Sequence, residues 1–249
     1  MENNFFGQLF GKFSEITWQI FGQLFGEFSE ITWQTWMGVG VLVALGIILL
    51  CTIKSKKQWT SKMIAYAALA IALSFVLSCI RLYRMPQGGS VTLGSMLPLM
   101  LFSASYGVVP GVAAGLVYGG LQLLQGSYFL NIWQFLLDYL IAFSVLGFAG
   151  IAKHLPKAWG LYAGIIVAVL CRAISAISAG IFWILDSYHA EVAEAVELSA
   201  TAPDAPSVVA LITGSAVYNG TYLIPEAIVC LILAFLVGKQ IMKLMQTTK

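Results

Sequence analysis

The sequence predicts an all-α integral membrane protein, and three observations carry that prediction. Apolar residues so outnumber charged ones that water cannot be the main solvent, they come in runs long enough to cross a bilayer, and basic residues collect in alternate connections between the runs. The 249-residue chain is 59% hydrophobic and 10% charged, with a mean hydropathy of +0.88. A soluble domain carries roughly 25% charged residues. Runs of about 20 apolar residues fall near 36–53, 62–84, 93–106, 108–124, 131–152, 158–185 and 207–238. Seven helices are therefore expected, the third and fourth short and separated only by Tyr106 and Gly107.

Ahead of the first span lies a duplication. Residues 6–19 recur at 21–34 with one change, Lys12 becoming Glu27. The period is close to four helical turns, so Phe6, Leu9, Phe10 and Phe13 share a face with Phe21, Leu24, Phe25 and Phe28. Two readings stand: an amphipathic helix lying on the outer leaflet, or a tandem duplication without a role of its own. The chain then divides into the duplicated segment 1–35, an additional transmembrane helix with a basic loop over 36–60, and a six-helix membrane domain over 61–249. No basic segment with a small-residue cleavage site opens the chain, so no removable signal peptide is expected.

The second span carries Ala65, Ala67, Ala68, Ala70 and Ala72. The spacing Ala68-xxx-Ala72 gives a flat strip on which another helix packs closely, within the chain or from a partner. The next connection, Arg81 to Gly94, contains Pro86, Gly88 and Gly89. Proline disfavours helix at Met85 and the glycines accept positive φ, so a tight outer loop that lies over a ligand and offers the amides around Gly89 is expected.

In the fifth span Asp138 is a lone carboxylate inside Asn131–Ser144, a segment otherwise apolar enough to cross the bilayer. An acid in hydrocarbon costs several kcal/mol, about 2.5 to 3.5 on insertion scales, and marks a functional site by default. Tyr118, Tyr128, Trp133, Tyr139 and Trp183 map to similar depth. Aromatic faces attract cations, although an interfacial aromatic belt has the same composition, and Trp133 is assigned to the belt. Asp138 lies about 10 Å below the outer surface at ~1.5 Å per residue, which suits a pocket open to the outside.

In the last two spans Arg172 and Glu226 fall at matching depth on antiparallel neighbours and are read as a structural ion pair. Asn219 lies nearer the outside, and its amide both donates and accepts, which makes it a ligand candidate. Nine of the thirteen basic residues, Lys54, Lys56, Lys57, Lys62, Lys153, Lys157, Lys239, Lys243 and Lys249, fall on one side. By the positive-inside rule that side is cytoplasmic, so the N-terminus is outside and the C-terminus inside. The four cysteines sit in or beside apolar spans without metal-ligand spacing. No phosphate-binding loop, zinc-protease motif or nucleophile elbow is present. Neither a cofactor nor a nucleic acid is expected. The competing readings are an integral-membrane enzyme using Asp138 as a general base, and a stand-alone carrier coupled through Glu226.

From Lys62 to Lys243 the chain resembles the thiamine-specific S components of energy-coupling factor (ECF) vitamin transporters. The resemblance is carried by Met85-Pro-Gln-Gly-Gly-Ser-Val-Thr-Leu-Gly-Ser-Met-Leu-Pro98, Gly115-Leu-Val-Tyr-Gly-Gly-Leu-Gln122, Gln134-Phe-Leu-Leu-Asp-Tyr-Leu-Ile-Ala-Phe143 and Tyr218-Asn219. It implies a six-helix subunit of the cell membrane that captures thiamine from outside and docks on one transmembrane coupling protein and two ATPases. It also implies vitamin contacts at Asp138, Tyr139, Tyr118, Trp183 and Asn219, and a docking strip at Ala68 and Ala72. The family's pocket histidine and a pocket tyrosine fall on Ala176 and Gly214, which leaves a thiamine precursor or analogue open as the ligand. The N-terminal repeat and extra helix are additions to the six-span pattern.

Overall fold

Residues 59–86, 88–122, 131–156, 159–197 and 203–247 are described by the computed structural model. The duplicated segment, the first span and Tyr128 lie outside the described residues. Thr60 opens the first described helix, α1 (Ser61–Cys79), its hydroxyl accepting from the Met63 amide at 3.3 Å. Met63, Ala67, Ala70, Ser74 and Ser78 form its buried face. Ile64, Leu69, Leu73 and Val76 are exposed, an apolar surface that hydrocarbon rather than water suits.

The second span, expected to run to residue 84, stops at Cys79. Arg81–Arg84 (β1) and Ser90–Thr92 (β2) instead form an antiparallel hairpin in the register Arg81↔Thr92, Tyr83↔Val91 and Arg84↔Ser90. This small hairpin is the form the expected tight connection takes within an otherwise helical chain. Tyr83, Val91 and Thr92 suit a strand, and Gly88 (φ 93°) and Gly89 (φ 81°) supply the positive φ that turns the chain. The Met85 amide donates to the Gly89 carbonyl at 3.0 Å and closes the turn.

α2 (Leu97–Tyr106) starts with Pro98 in its first turn and is buried almost all round. At ten residues it is too short to cross a bilayer, so it serves as the centre of the core. α3 (Val108–Gln122) follows directly and packs on α4 (Ile132–His154). Glycine makes that contact possible: a Cβ at Gly115 would lie 2.8 Å from Ser144 Cα, and one at Gly119 would lie 2.5 Å from the Tyr139 carbonyl oxygen. The two backbones touch.

α4 is capped by Asn131, whose Oδ1 accepts from the Gln134 amide at 2.8 Å. It widens to a π turn over Leu136–Ile141 and tightens to a 3-10 helix over Val145–His154. α5 (Gly160–Glu197) continues past the expected end at residue 185. Its 38 residues reach about 57 Å at ~1.5 Å each, well beyond the hydrocarbon core, so its last turns carry Asp186, Glu191, Glu194 and Glu197 into water. α6 (Val208–Leu233), capped by Ser207 and interrupted by Pro225, passes through a π turn at Ala234–Gly238 into α7 (Lys239–Thr247).

Four helical stretches are long and apolar enough to cross a membrane: Ser61–Cys79, Ile132–His154, Gly160–Ala195 and Val208–Met245. Outward-facing residues on α5 and on the π turn after α6, among them Ile174 (67% exposed) and Phe235 (73%), are apolar, which fits lipid contact. The ends differ in charge. Tyr106 donates to the Met245 carbonyl, Lys153 reaches Gly107, and this end holds the lysines of α7. The hairpin and the acidic extension of α5 occupy the other.

Candidate ligand-binding site

Beneath the hairpin, and lined by α4, α5 and α6, lies a cavity of about 450 Å³, within the size range of small-molecule sites. Each helix contributes one face. α4 presents Gln134, Asp138, Tyr139 and Phe143; α5 presents Arg172, Ala176, Gly180 and Trp183; α6 presents Gly214, Tyr218, Tyr222 and Glu226 at four-residue spacing, with Ser215 and Asn219 beside them. Gly88, Gly89 and Arg84 of the hairpin form the lid side, and Ser78 and Gln122 close the wall from α1 and α3.

Asp138 and Tyr139 sit on the π turn of α4. A π turn moves side chains out of the regular helical register, and such turns recur at functional sites. Neighbours hold this one: Ser175 Oγ donates to the Leu137 carbonyl at 2.6 Å, Ser144 Oγ donates to the Leu140 carbonyl at 2.5 Å, and Gly119 admits the Tyr139 carbonyl from behind. The side chain of Gln134 hydrogen-bonds the Asp138 carboxylate, and the Arg172 guanidinium acts on the same group electrostatically.

Arg172 and Glu226 line the same cavity, but no salt bridge joins them, which corrects the expected ion pair. The Glu226 carboxylate is already held by Thr92, through its hydroxyl at 2.5 Å and its amide at 3.4 Å, and by the Ser95 hydroxyl at 3.1 Å. Arg172 instead lies over the Phe143 ring, 4.4 Å from its centroid. Glu226 is only 1% exposed, so these hydroxyl donors offset its desolvation. They also tie β2 and the start of α2 to α6.

The other expected residues divide. Asp138, Tyr139, Trp183, Asn219 and Gly89 all line the cavity. The Asn219 amide is occupied: it donates to the Ala176 carbonyl at 3.2 Å and to the Ser215 carbonyl at 2.9 Å, and its oxygen accepts from Tyr222 Oη at 2.7 Å. It therefore orients Tyr222 and joins α6 to α5. Tyr118 is fully buried behind the wall, where it donates to the Ser74 carbonyl, accepts from Gln122 Nε2 and meets Phe143 edge-on. Gly89 approaches Tyr222 so closely that a Cβ would fall 2.7 Å from its ring. Ala68 and Ala72 are exposed on α1, away from the cavity.

Tyr222 is absent from the sequence expectations, and Tyr218, Gln134, Phe143, Thr92 and Ser95 enter them only inside the quoted motifs, with no role in the site. One signal was available: stepping back from Glu226 by four residues names Tyr222 and Tyr218, the face that an intramembrane acid marks as inward. Tyr218 Oη donates to the Gly88 carbonyl at 2.8 Å, pinning the hairpin over the cavity.

The family model of the thiamine transporter protein matches residues 64–246. ThiT of Bacillus subtilis (strain 168), a thiamine transporter, is 34% identical over 168 residues, covering 66% of this chain and 83% of the relative. A solved structure of ThiT from Listeria monocytogenes shares the fold with a TM-score of 0.57 at 22% identity, covering 74% of this chain and 96% of that one. The family match across residues 64–246, with the 34% identity to the relative, places the chain in the thiamine transporter family.

Proposed function

We propose that the chain is a thiamine-binding membrane subunit that captures its substrate from the outside and is energised by partner subunits of the ECF type. The observation that carries this reading is the Asp138 carboxylate inside the cavity, framed by aromatic rings. Two carboxylates, Asp138 and Glu226, line the interior beside the Arg172 guanidinium, and Glu226 is already held by Thr92 and Ser95, which leaves Asp138 as the acid for a cationic ligand. Arg81 and Arg84 stand on the hairpin side of the cavity, Arg81 half-buried and Arg84 exposed where solvent screens it. Thiamine supplies one permanent positive charge on its thiazolium ring. Tyr139, Trp183, Tyr218 and Tyr222 provide aromatic surface around it.

The charge distribution supports a sidedness. The cavity opens toward the acidic end of the bundle and the lysines of α7 mark the other, so by the positive-inside rule the hairpin faces outward and the C-terminus is cytoplasmic. The sequence has no phosphate-binding loop, so uphill uptake draws on separate ATPases. The exposed Ala68/Ala72 strip of α1 offers the close approach a coupling subunit needs.

A related ligand is the second reading, and a specific observation favours it. Ala176 and Gly214 both line the cavity, and a Cβ at Gly214 would meet nothing closer than Ile184 Cδ1 at 3.5 Å. Vesicles containing the chain, with and without the coupling module and ATP, decide the transport reading. Uptake of labelled thiamine only with the module supports a dependent subunit; equal uptake without it identifies a stand-alone carrier.

A further inference from the structure

Among the described residues, nothing covers the outer face of α1. The helix packs on α2 and α3 through Met63, Ala67, Ala70, Ser74 and Ser78. On its other side Ile64 (53%), Leu69 (52%), Leu73 (47%) and Val76 (59%) are exposed, and so are Ala65, Ala68 and Ala72. At ~3.6 residues per turn the three alanines run along this face between Ile64 and Leu69. They leave a shallow groove that admits a second helix at short distance.

The chain carries its own occupant for that groove. The apolar run 36–53 lies just ahead of α1 in the sequence. Trp59 packs against the core and Thr60 caps α1, so only residues 54–58 separate the run from a fixed point at the foot of the helix. Even fully extended this link reaches roughly 20 Å, and connections so short join antiparallel neighbours. The run has the small-residue spacing of α1, in Gly40-xxx-Ala44. Counted outward from Lys57, the middle of the connection, Ala44 falls level with Ala70, midway between Ala68 and Ala72. One small side chain therefore meets the gap between two others.

We propose that the first span crosses the bilayer antiparallel to α1 and packs its Gly40/Ala44 face on the Ala68/Ala72 strip, so that a coupling subunit must displace it in order to dock. The packing is independent of the ligand, whereas the displacement rests on the docking role given to the strip above. A cover that binds only the undocked form shifts the equilibrium away from docking. Docking then exchanges one small-residue helix contact for another.

Disulfide trapping on the full chain tests the packing. Cys51, Cys79, Cys171 and Cys230 are first replaced by alanine, and a melting temperature near that of the unmodified chain shows that the product folds. Ala72→Cys is then combined with Ala44→Cys or with Leu42→Cys. By the same count Leu42 is level with Ala72, but it lies on the opposite side of its helix from Ala44. A disulfide needs Cα atoms within about 7 Å, so only packed faces react. Under mild oxidation in membranes the Ala44→Cys pair should lose both thiols without forming a dimer, and the Leu42→Cys pair should keep them. Equal trapping of both pairs overturns the packing. Trapping of neither leaves the face to lipid, and disulfide-linked dimers assign it to a second copy; each of these results also overturns the proposal. The oxidised Ala44→Cys pair should bind thiamine as before and lose uptake with the coupling module, and reductant should restore that uptake. Uptake unaffected by the cross-link overturns the displacement. Ala44→Trp needs no cysteine replacement: it should leave thiamine affinity unchanged and raise capture of limiting coupling module, and unaltered capture contradicts the displacement. Should the unmodified chain bind no thiamine, the proposed function fails while the trapping pattern still decides the packing.

Discussion

Neutralising Asp138 gives the sharpest test of the charge argument. Asp138→Asn preserves shape and hydrogen-bonding capacity toward Gln134 but removes one negative charge from the cavity. A cationic ring filling the cavity lies about 5 Å from the carboxylate; at an effective dielectric of ~20 the attraction is about 3 kcal/mol. That predicts a loss of about 150-fold in affinity, at roughly tenfold per 1.4 kcal/mol. The measurement is calorimetric titration of the detergent-purified variant with thiamine, repeated at low and high salt. Because the pair is buried, the loss should survive added salt. Asp204→Asn, an exposed acid outside the cavity, serves as the control and should leave affinity unchanged. A dissociation constant within twofold of the unmodified chain in Asp138→Asn would refute the reasoning.

Three further outcomes follow from packing. Gly119→Ala forces a methyl group onto the Tyr139 carbonyl oxygen and should cost about 1 to 3 kcal/mol of stability, read as a lower melting temperature together with weaker thiamine binding. Gly120→Ala, where a Cβ meets nothing within 4 Å, should be neutral in both assays. Glu226→Ala strands the buried Thr92 and Ser95 donors at a cost of about 1 to 3 kcal/mol, and faster proteolytic cleavage in the hairpin would report the loosened β2. Ala72→Trp should leave thiamine binding by the isolated chain intact while blocking uptake with the energising module; normal uptake would remove α1 from the docking face.

The helices and the acid at the centre of the site were legible because hydrophobic runs and an intramembrane charge are local signals. The hairpin was not, since its strands are three and four residues long and depend on Gly88 and Gly89 being pinned by Tyr218 and Tyr222 of α6. Glu226 shows the limit of depth matching. Spacing placed it level with Arg172, yet Thr92 and Ser95 reached its carboxylate first, from a segment 131 to 134 residues away. Asn219 was found for its amide, while its role in orienting Tyr222 depended on helix contacts that one sequence does not display. The π turn beneath Asp138 has no sequence signature of its own; it is fixed by Ser175 and by the glycine faces of α3.

The central claim is that the membrane-embedded cavity holds one thiamine by its charge and rings. Equilibrium binding of labelled thiamine to the detergent-purified chain tests it most directly. Saturation is expected at one site per chain with a dissociation constant below micromolar, displaced by unlabelled thiamine and unaffected by excess of a neutral pyrimidine. Absence of saturable binding through the micromolar range would contradict it.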